Sequence, residues 1–413
     1  MGNIRRPFRL FISISLLIYF ICCISLVSGI IRIEASETRC IENERKALLL
    51  LKKGFVDDYG LLSSWSSHSS SQDCCLWPGV GCSNRTGHVV MLDLHGYWSD
   101  GLDAAVGLSG DISSSLLDLN HLNHLDLSFS SLTRIPEFMG SLGKLRYLII
   151  SFVTLEVSKV PPQWGNLSYL QILDLSGSSA VLKNTEWIFR LSSLEYVSLS
   201  YVELSESRNL LENMLTRLPS LFELHLAGCL VSRLSANKLL PVTNFSSVLS
   251  ILDISDNYLP PSMIYPWLFN FSDSLTNIDL SFNDLNDTIP EAFGAFTSLQ
   301  KNSLEEDLPN FFHLLEPAEK SLQVLDLSEN EFFGSLPDFT KFTALQELHL
   351  YDNDMWGSFP ERFERTSNLV ILDVSDNQIT GLLPDLSALS SLQELYIERN
   401  RLEGTLAEKI VTF

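Results

Sequence analysis

The chain has 413 residues, 45% of them hydrophobic, with 24 Phe. That is enough apolar material for a large core or a long repeat array, and it excludes an intrinsically disordered polymer. The formal net charge of −22 excludes a general nucleic-acid binder, which needs a basic face to meet phosphate, and permits a basic partner.

Residues 1–36 read as a secretory signal. Arg5, Arg6 and Arg9 form its basic start, "LFISISLLIYFICCISLV" its apolar run, and Ser28, Gly29, Ala35 and Ser36 its small cleavage-site residues. The rival reading is an uncleaved anchor, since the run is long enough to span a bilayer. Cleavage is expected because an extracellular type of segment follows. It would remove four Arg and Glu34, leaving an even more acidic chain.

Next comes a cap-like segment. "ENERKALLLLKKGF" predicts one amphipathic helix ending near Gly54. Of seven cysteines, Cys22 and Cys23 leave with the signal, while Cys40, Cys74, Cys75 and Cys82 cluster behind it. An even set in a secreted context reads as two disulfides, with three pairings open. A bond between adjacent Cys74 and Cys75 would be strained. A zinc site is the weaker reading, because no C-x-x-C is present. Asn84, Asn166, Asn244, Asn270 and Asn286 each open an N-x-S/T acceptor, which together predict a glycoprotein.

From Leu122 the chain restarts periodically, at Leu145, Leu170, Leu194, Leu221, Leu249, Leu275, Leu299, Leu322, Leu345, Leu369 and Leu392, with gaps of 23 to 28 residues. Counting Val89 as the opening of the first unit, most units obey L-x-x-L-x-L-x-x-N-x-L, a diagnostic repeat period. In "LTNIDLSFNDL" the inward residues Ile278 and Leu280 are two apart, as a short strand requires. One such strand cannot bury its apolar face alone, so coil stacks on coil. Asn257, Asn283, Asn330, Asn353, Asn377 and Asn400 hold the turn off the strand, where an amide can satisfy backbone groups. Ser130, Val153, Ser178, Val202 and Cys229 hold that slot earlier, so the first half is expected to be less regular. "GSLP", "GSFP" and "GLLP" follow the late Asn residues, with Gly for a turn and Pro fixing the exit. The coil at Leu299 puts Asn302 where an apolar residue should point inward. It reads as a place of lost repeats or of a faulty gene model.

These features resemble the plant leucine-rich-repeat receptor-like proteins of the fungal-xylanase receptor and disease-resistance group. The likeness rests on Cys40, "ERKALLLLK", "LLSSW", "CCLWPGVGC", "GHVVMLDL" and the "L-x-G-x-[I/L]-P" repeats, and it covers essentially the whole chain. It implies an α/β solenoid: a curved leucine-rich-repeat superhelix with a parallel concave sheet and a disulfide-bonded N-terminal cap. The domains are then a signal peptide over 1–36, a cap over 37–87 and an array of about 12–13 coils over 88–413, the last incomplete. It also implies Cys40–Cys74 and Cys75–Cys82 pairing, and a cell-surface immune receptor that binds a microbial protein or peptide and signals through a membrane receptor-kinase adaptor. Family members continue through more repeats to a second cap and a membrane helix, whereas this chain stops at Phe413. It is therefore read as a truncated N-terminal ectodomain, with membrane attachment expected for the full-length form and an apoplastic location for this one.

No G-x-S-x-G, P-loop, H-E-x-x-H or kinase glycine loop is present, and neither catalytic residues, a cofactor nor a metal is expected. "HLNH", His121 to His124, reads as surface histidines. The repeated outward Asp at 93, 126, 174, 253, 279, 326 and 373 reads first as a hydrogen-bond acceptor for neighbouring groups, second as an acidic stripe. Exposed aromatics are better ligand anchors. Phe129, Phe152 and Tyr201 fall just before the Asn slot, Tyr147 and Tyr196 just before the central inward residue; all five are expected on the concave side. Glu347, Tyr351 and Tyr396, among acidic neighbours, form a second candidate patch. The alternative function is a secreted inhibitor of a cell-wall-degrading enzyme, similar to the polygalacturonase inhibitors, whose cysteine-bearing C-terminal cap is missing here. An enzyme ranks third.

Overall fold

The computed structural model describes residues 40–66, 73–99, 101, 104–157, 159–204, 210–230, 248–259, 275–283, 312, 315, 318–336, 339–359, 368–383, 386 and 389–404. The signal segment, Asn244, Asn270, Asn286, Leu299 and Asn302 lie outside them.

The cap forms where its sequence predicts. Helix α1 (Glu42–Lys52) buries Ala47, Leu48 and Leu51. Disulfides join Cys40 to Cys74 and Cys75 to Cys82, the pairing implied by the family resemblance. Trp65 stacks on Trp77, with centroids 5.4 Å apart, and its indole N–H donates to the Pro78 carbonyl at 3.0 Å. The buried Glu44 carboxylate joins cap to array: it accepts from the Val89 amide at 2.7 Å and pairs with His88 at 2.8 Å.

The main sheet has thirteen strands. Val80–Cys82 from the cap runs antiparallel to Val89–Asp93. Every later strand is parallel, from His124–Asp126 through Tyr147–Ile149, Ile172–Asp174 and onward to Glu394–Tyr396. Alternation decides the register: the central residue of each triplet points inward, so Leu125 opposes Leu148 and Leu148 opposes Leu173. These residues are essentially fully buried, and one continuous apolar core runs from Ala47 to Leu392. Second strands beside the main sheet occur in late coils, Phe333–Gly334 with Asp354–Met355 and Thr380–Leu382 with Arg401–Glu403. They also occur early, in Ser109–Gly110, Ser131–Arg134 and Thr154–Val157, with the cap strand Phe55–Val56 on their edge.

The Asn ladder closes the turns as expected. The Asn283 side-chain NH2 donates to the carbonyls of Ile254, Leu280 and Ser281, and its oxygen accepts from the amides of Asn257 and Leu259. Asn277–Asp279 pairs directly with Val324–Asp326, and the Asn283 amide donates to Asn330 at 3.1 Å. One expectation needs correction. The early half is not less regular in its main sheet, because shorter groups do part of the work of the amide. The Ser130 and Ser178 hydroxyls donate to the carbonyls of Leu127 and Leu175 at 2.6 Å, and the buried Cys229 thiol points to the Leu199 carbonyl.

Replacing Asn283 by Ala strands three carbonyls and two amides in a dry interior. A loss of about 3 kcal/mol or more is expected, against about 1 kcal/mol for Ser130→Ala, which removes one bond. Denaturant midpoints of the two variants check this; equal losses would contradict it.

Candidate functional site

Eleven successive coils leave the main sheet through the same backbone event. The residue before the Asn slot takes positive φ: Phe129 (56°), Phe152 (53°), Gly177, Tyr201 (61°), Gly228, Asp256, Phe282, Glu329, Asp352, Asp376 and Arg399. Its N–H extends the ladder, as Phe152 does to the Ser176 carbonyl at 2.7 Å and Tyr201 to the Ala227 carbonyl at 2.7 Å. A left-handed conformation costs a residue with a Cβ about 1–2 kcal/mol, and a bulky side chain is uncommon there. The repeat imposes the conformation; the sequence chooses what stands on it.

In the early coils it chooses aromatic rings. Phe129 and Phe152 stack with centroids 4.9 Å apart and planes 9° apart. The Phe152 ring lies over Gly177, where a Cβ would come within 2.7 Å of it, and Tyr201 covers Gly228 in the same way, at 2.3 Å. Phe152 and Tyr201 remain 50% and 52% exposed. Phe152 and Tyr201 are thus each accommodated over an empty position on the next coil, while Phe129 stacks on Phe152. Tyr147 and Tyr196 stand one row inward, half-buried, tilted against His124 at 5.5 Å and His225 at 5.4 Å.

The late patch is tied to itself. The Tyr351 hydroxyl donates to Glu329 at 3.1 Å and that of Tyr396 to Glu394 at 2.7 Å, while Glu347 lies 3.5 Å from His349 and Arg399 pairs with Asp376. Burial, with nearby carboxylates, pushes the Tyr351 phenol up to about 12.

The outward Asp column is built into the fold. Asp126, Asp174, Asp253, Asp279, Asp326 and Asp373 each accept, through Oδ1, both the amide and the hydroxyl of the Ser two residues on. Packing these carboxylates side by side has an electrostatic cost. Burial, then the charges of Asp326 and Asp253, hold Asp279 well above the usual carboxylate range. His225 feels the opposite balance: burial pulls it down, but Asp253 and Glu223, 3.5 and 3.6 Å away, more than offset this and raise it to about 9.

The "HLNH" histidines separate. His124 belongs to the concave row, whereas His121 stacks on His88 beside Glu44, with centroids 3.7 Å apart and planes 19° apart. Nearly parallel imidazoles aim their lone pairs alongside each other, so in this geometry the trio is a stacked pair against a carboxylate, not a converging ligand set. Asn84 and Asn166 are exposed. No helix among the described residues is long and apolar enough to cross a membrane.

The family described as leucine rich repeat N-terminal domain matches residues 41–83, and leucine rich repeat families match 274–296, 321–342 and 343–402. The chain belongs to the plant leucine-rich-repeat receptor-like proteins. It is 37% identical to receptor-like protein EIX1 of Solanum lycopersicum over 75% of its own length and 33% of that protein's. It is 37% identical to receptor-like protein EIX2 of the same species over 84% of its length and 36% of that protein's. It thus spans about a third of the curated relatives it matches. Among solved structures it resembles the leucine-rich-repeat ectodomain of the Arabidopsis receptor kinase HAESA in complex with an extended IDA peptide hormone. The TM-score is 0.56 at 25% identity, over 87% of this chain and 61% of that one.

A raised carboxylate is neutral more readily folded than unfolded, so its penalty is absent at low pH and appears as pH climbs through the folded value. Asp279→Asn keeps the acceptor oxygen and removes the charge. It is expected to raise the melting temperature at pH 7.5, with the gain shrinking as pH falls towards 4. A gain equal at both pH values would contradict the assignment. His225 has a linkage of the same sign in a higher window: its contribution is full below about pH 6.5 and is lost as pH rises through about 9.

Proposed function

We propose that the chain is the ligand-recognition portion of an extracellular plant immune receptor-like protein. It binds a microbial protein or peptide on its concave face and signals, in the full-length protein, through a membrane receptor-kinase partner. One observation carries this reading: the exposed rings of Phe152 and Tyr201, and the half-buried ring of Phe129, stand on left-handed backbone that would be less strained with Gly. Neither the strain nor the exposed apolar area stabilises the fold, whereas both suit anchoring a partner. Phe129, Phe152 and Tyr201 are the principal anchors, with Tyr147 and Tyr196 behind them. Glu347, Tyr351 and Tyr396 form a second surface already engaged in internal bonds. The receptor-like relatives and the peptide held by the HAESA ectodomain support recognition as the task. No comparable grouping for chemistry stands among the described residues. Location at the external face of the plasma membrane or in the apoplast, and glycosylation at Asn84 and Asn166, belong to the same proposal.

The test begins with the purified chain immobilised and exposed to fungal culture fluid. The triple variant Phe129→Ala, Phe152→Ala and Tyr201→Ala should weaken capture of the retained protein at least tenfold with secretion unchanged; undiminished capture would remove this face from consideration. Asn84→Gln and Asn166→Gln should each lower the apparent mass of plant-expressed protein by one glycan, and a mass unmoved in both would contradict passage through the secretory pathway.

A further inference from the structure

The first coil exceeds the repeat period of 23 to 28 residues: 33 residues separate Val89 from Leu122. Part of the excess folds as an antiparallel hairpin, Tyr97–Ser99 against Ala104–Val106. Its base rests on the next coil's left-handed residue. The Gly96 amide donates to the Ser128 carbonyl at 2.8 Å, and a Cβ on Gly96 or Gly107 would lie 2.8 or 1.9 Å from the Phe129 carbonyl oxygen. Only residues without a Cβ admit this approach, so the hairpin extends the edge on which Phe129, Phe152 and Tyr201 follow. Tyr97 and Trp98 stand 55% and 53% exposed on it. A two-stranded hairpin is marginally stable by itself, and exposing its two large aromatics adds nothing to the core.

Charge says what this edge can receive. On the described strands of the main sheet the outward positions, first and third of each triplet, carry no Lys or Arg, and the left-handed positions carry only Arg399, which is paired with Asp376. His225 is held between Asp253 and Glu223, and burial depresses His124. Beside the aromatic edge, Asp126 and Asp174 commit Oδ1 to Ser128 and Ser176, while Oδ2 meets no hydrogen-bond donor among the described residues. His95 beside the hairpin is paired with Asp93, which holds its imidazole above the usual histidine range. Aromatic faces bordered by carboxylates complement a guanidinium or ammonium group.

We propose that the edge from the Tyr97–Trp98 hairpin through Phe129 and Phe152 to Tyr201 seats a basic, extended segment of a protein partner, with Arg or Lys side chains laid on the exposed rings. The proposal rests on the recognition reading above and names its ligand chemistry. A neutral oligosaccharide could also stack on the rings but would gain nothing from the carboxylates.

Fluorescence anisotropy tests it with three labelled probes: a short peptide of alternating arginine and leucine, its glutamate counterpart, and a cellulose-type oligosaccharide. The basic peptide should bind, more weakly as salt rises. Trp98→Ala and Phe152→Ala should each weaken it by about 3- to 30-fold, while Tyr169→Ala, an exposed ring off this edge, should change it less than about twofold. Trp98→Tyr, which keeps an aromatic face, should restore most of the binding, and near-ultraviolet circular dichroism checks that each variant is folded. Equal effects of Trp98→Ala and Tyr169→Ala, or tighter binding of the glutamate peptide or the oligosaccharide, would overturn the proposal. If the basic peptide fails while Phe152→Ala still impairs capture from culture fluid, the ligand chemistry is wrong and the recognition reading stands.

Discussion

Each coil must turn its backbone out of a sheet whose inner side is dry. That constraint governs the molecule. Leaving a strand inside an apolar core strands carbonyls and amides, and each unpaired group costs about 1–3 kcal/mol. Asn257 meets the demand by donating to Leu226, Ile254 and Ser255 and accepting from Cys229, so one amide closes its own turn and fastens the previous coil. The same exit requires a left-handed residue immediately before it. The site where side chains are displayed is therefore a by-product of how the core is sealed. Backbone geometry there is shared by coil after coil, and the residue identity is left open: rings early, carboxylates late.

The concave face then carries two tasks with separate chemistry. Its Asp column serves the backbone through the Ser hydroxyls and amides, which explains the repetition of the pair without a ligand. The accumulated charge is a consequence of that repetition; it holds the Asp279 carboxyl well above the usual carboxylate range and raises His225 to about 9. The aromatic edge serves no such internal need. Phe129 on Phe152, and Phe152 over Gly177, show packing that fixes the rings in place while leaving their outer surfaces in water, an arrangement with little conformational entropy left to lose on binding.

Much of this was legible from spacing. The 23-residue period, the cap helix, the inward alternation at Ile278 and Leu280 and the closing role of Asn283 all follow from local rules that a solenoid repeats. The outward placement of Phe129, Phe152 and Tyr201 was legible for the same reason. What escaped was non-local or depended on substitution. His88 and His121 come together because adjacent coils stack them, and Glu44 joins from a helix 44 residues before His88 in the sequence. The Ser130 and Ser178 hydroxyls replace part of an amide's work, so the missing Asn residues gave a false forecast of irregular early coils. The hairpin had a visible trace in the long Val89–Leu122 interval and the turn-forming "SDG" within it. Its seat on Phe129 depends on Gly96 and Gly107, which directly flank the two hairpin strands, and no periodic pattern marks such a contact.

The direct pairing of Asn277–Asp279 with Val324–Asp326 bears on how such molecules change over generations. Because a coil adheres only to its two neighbours, Asn277–Asp279 and Val324–Asp326 pair as any adjacent coils do although more than forty residues separate them, and the Asn283 amide donates to Asn330. Whole cassettes can therefore be deleted, duplicated or exchanged between sister genes without redesigning what remains. Binding surfaces on this scaffold can be shuffled in blocks.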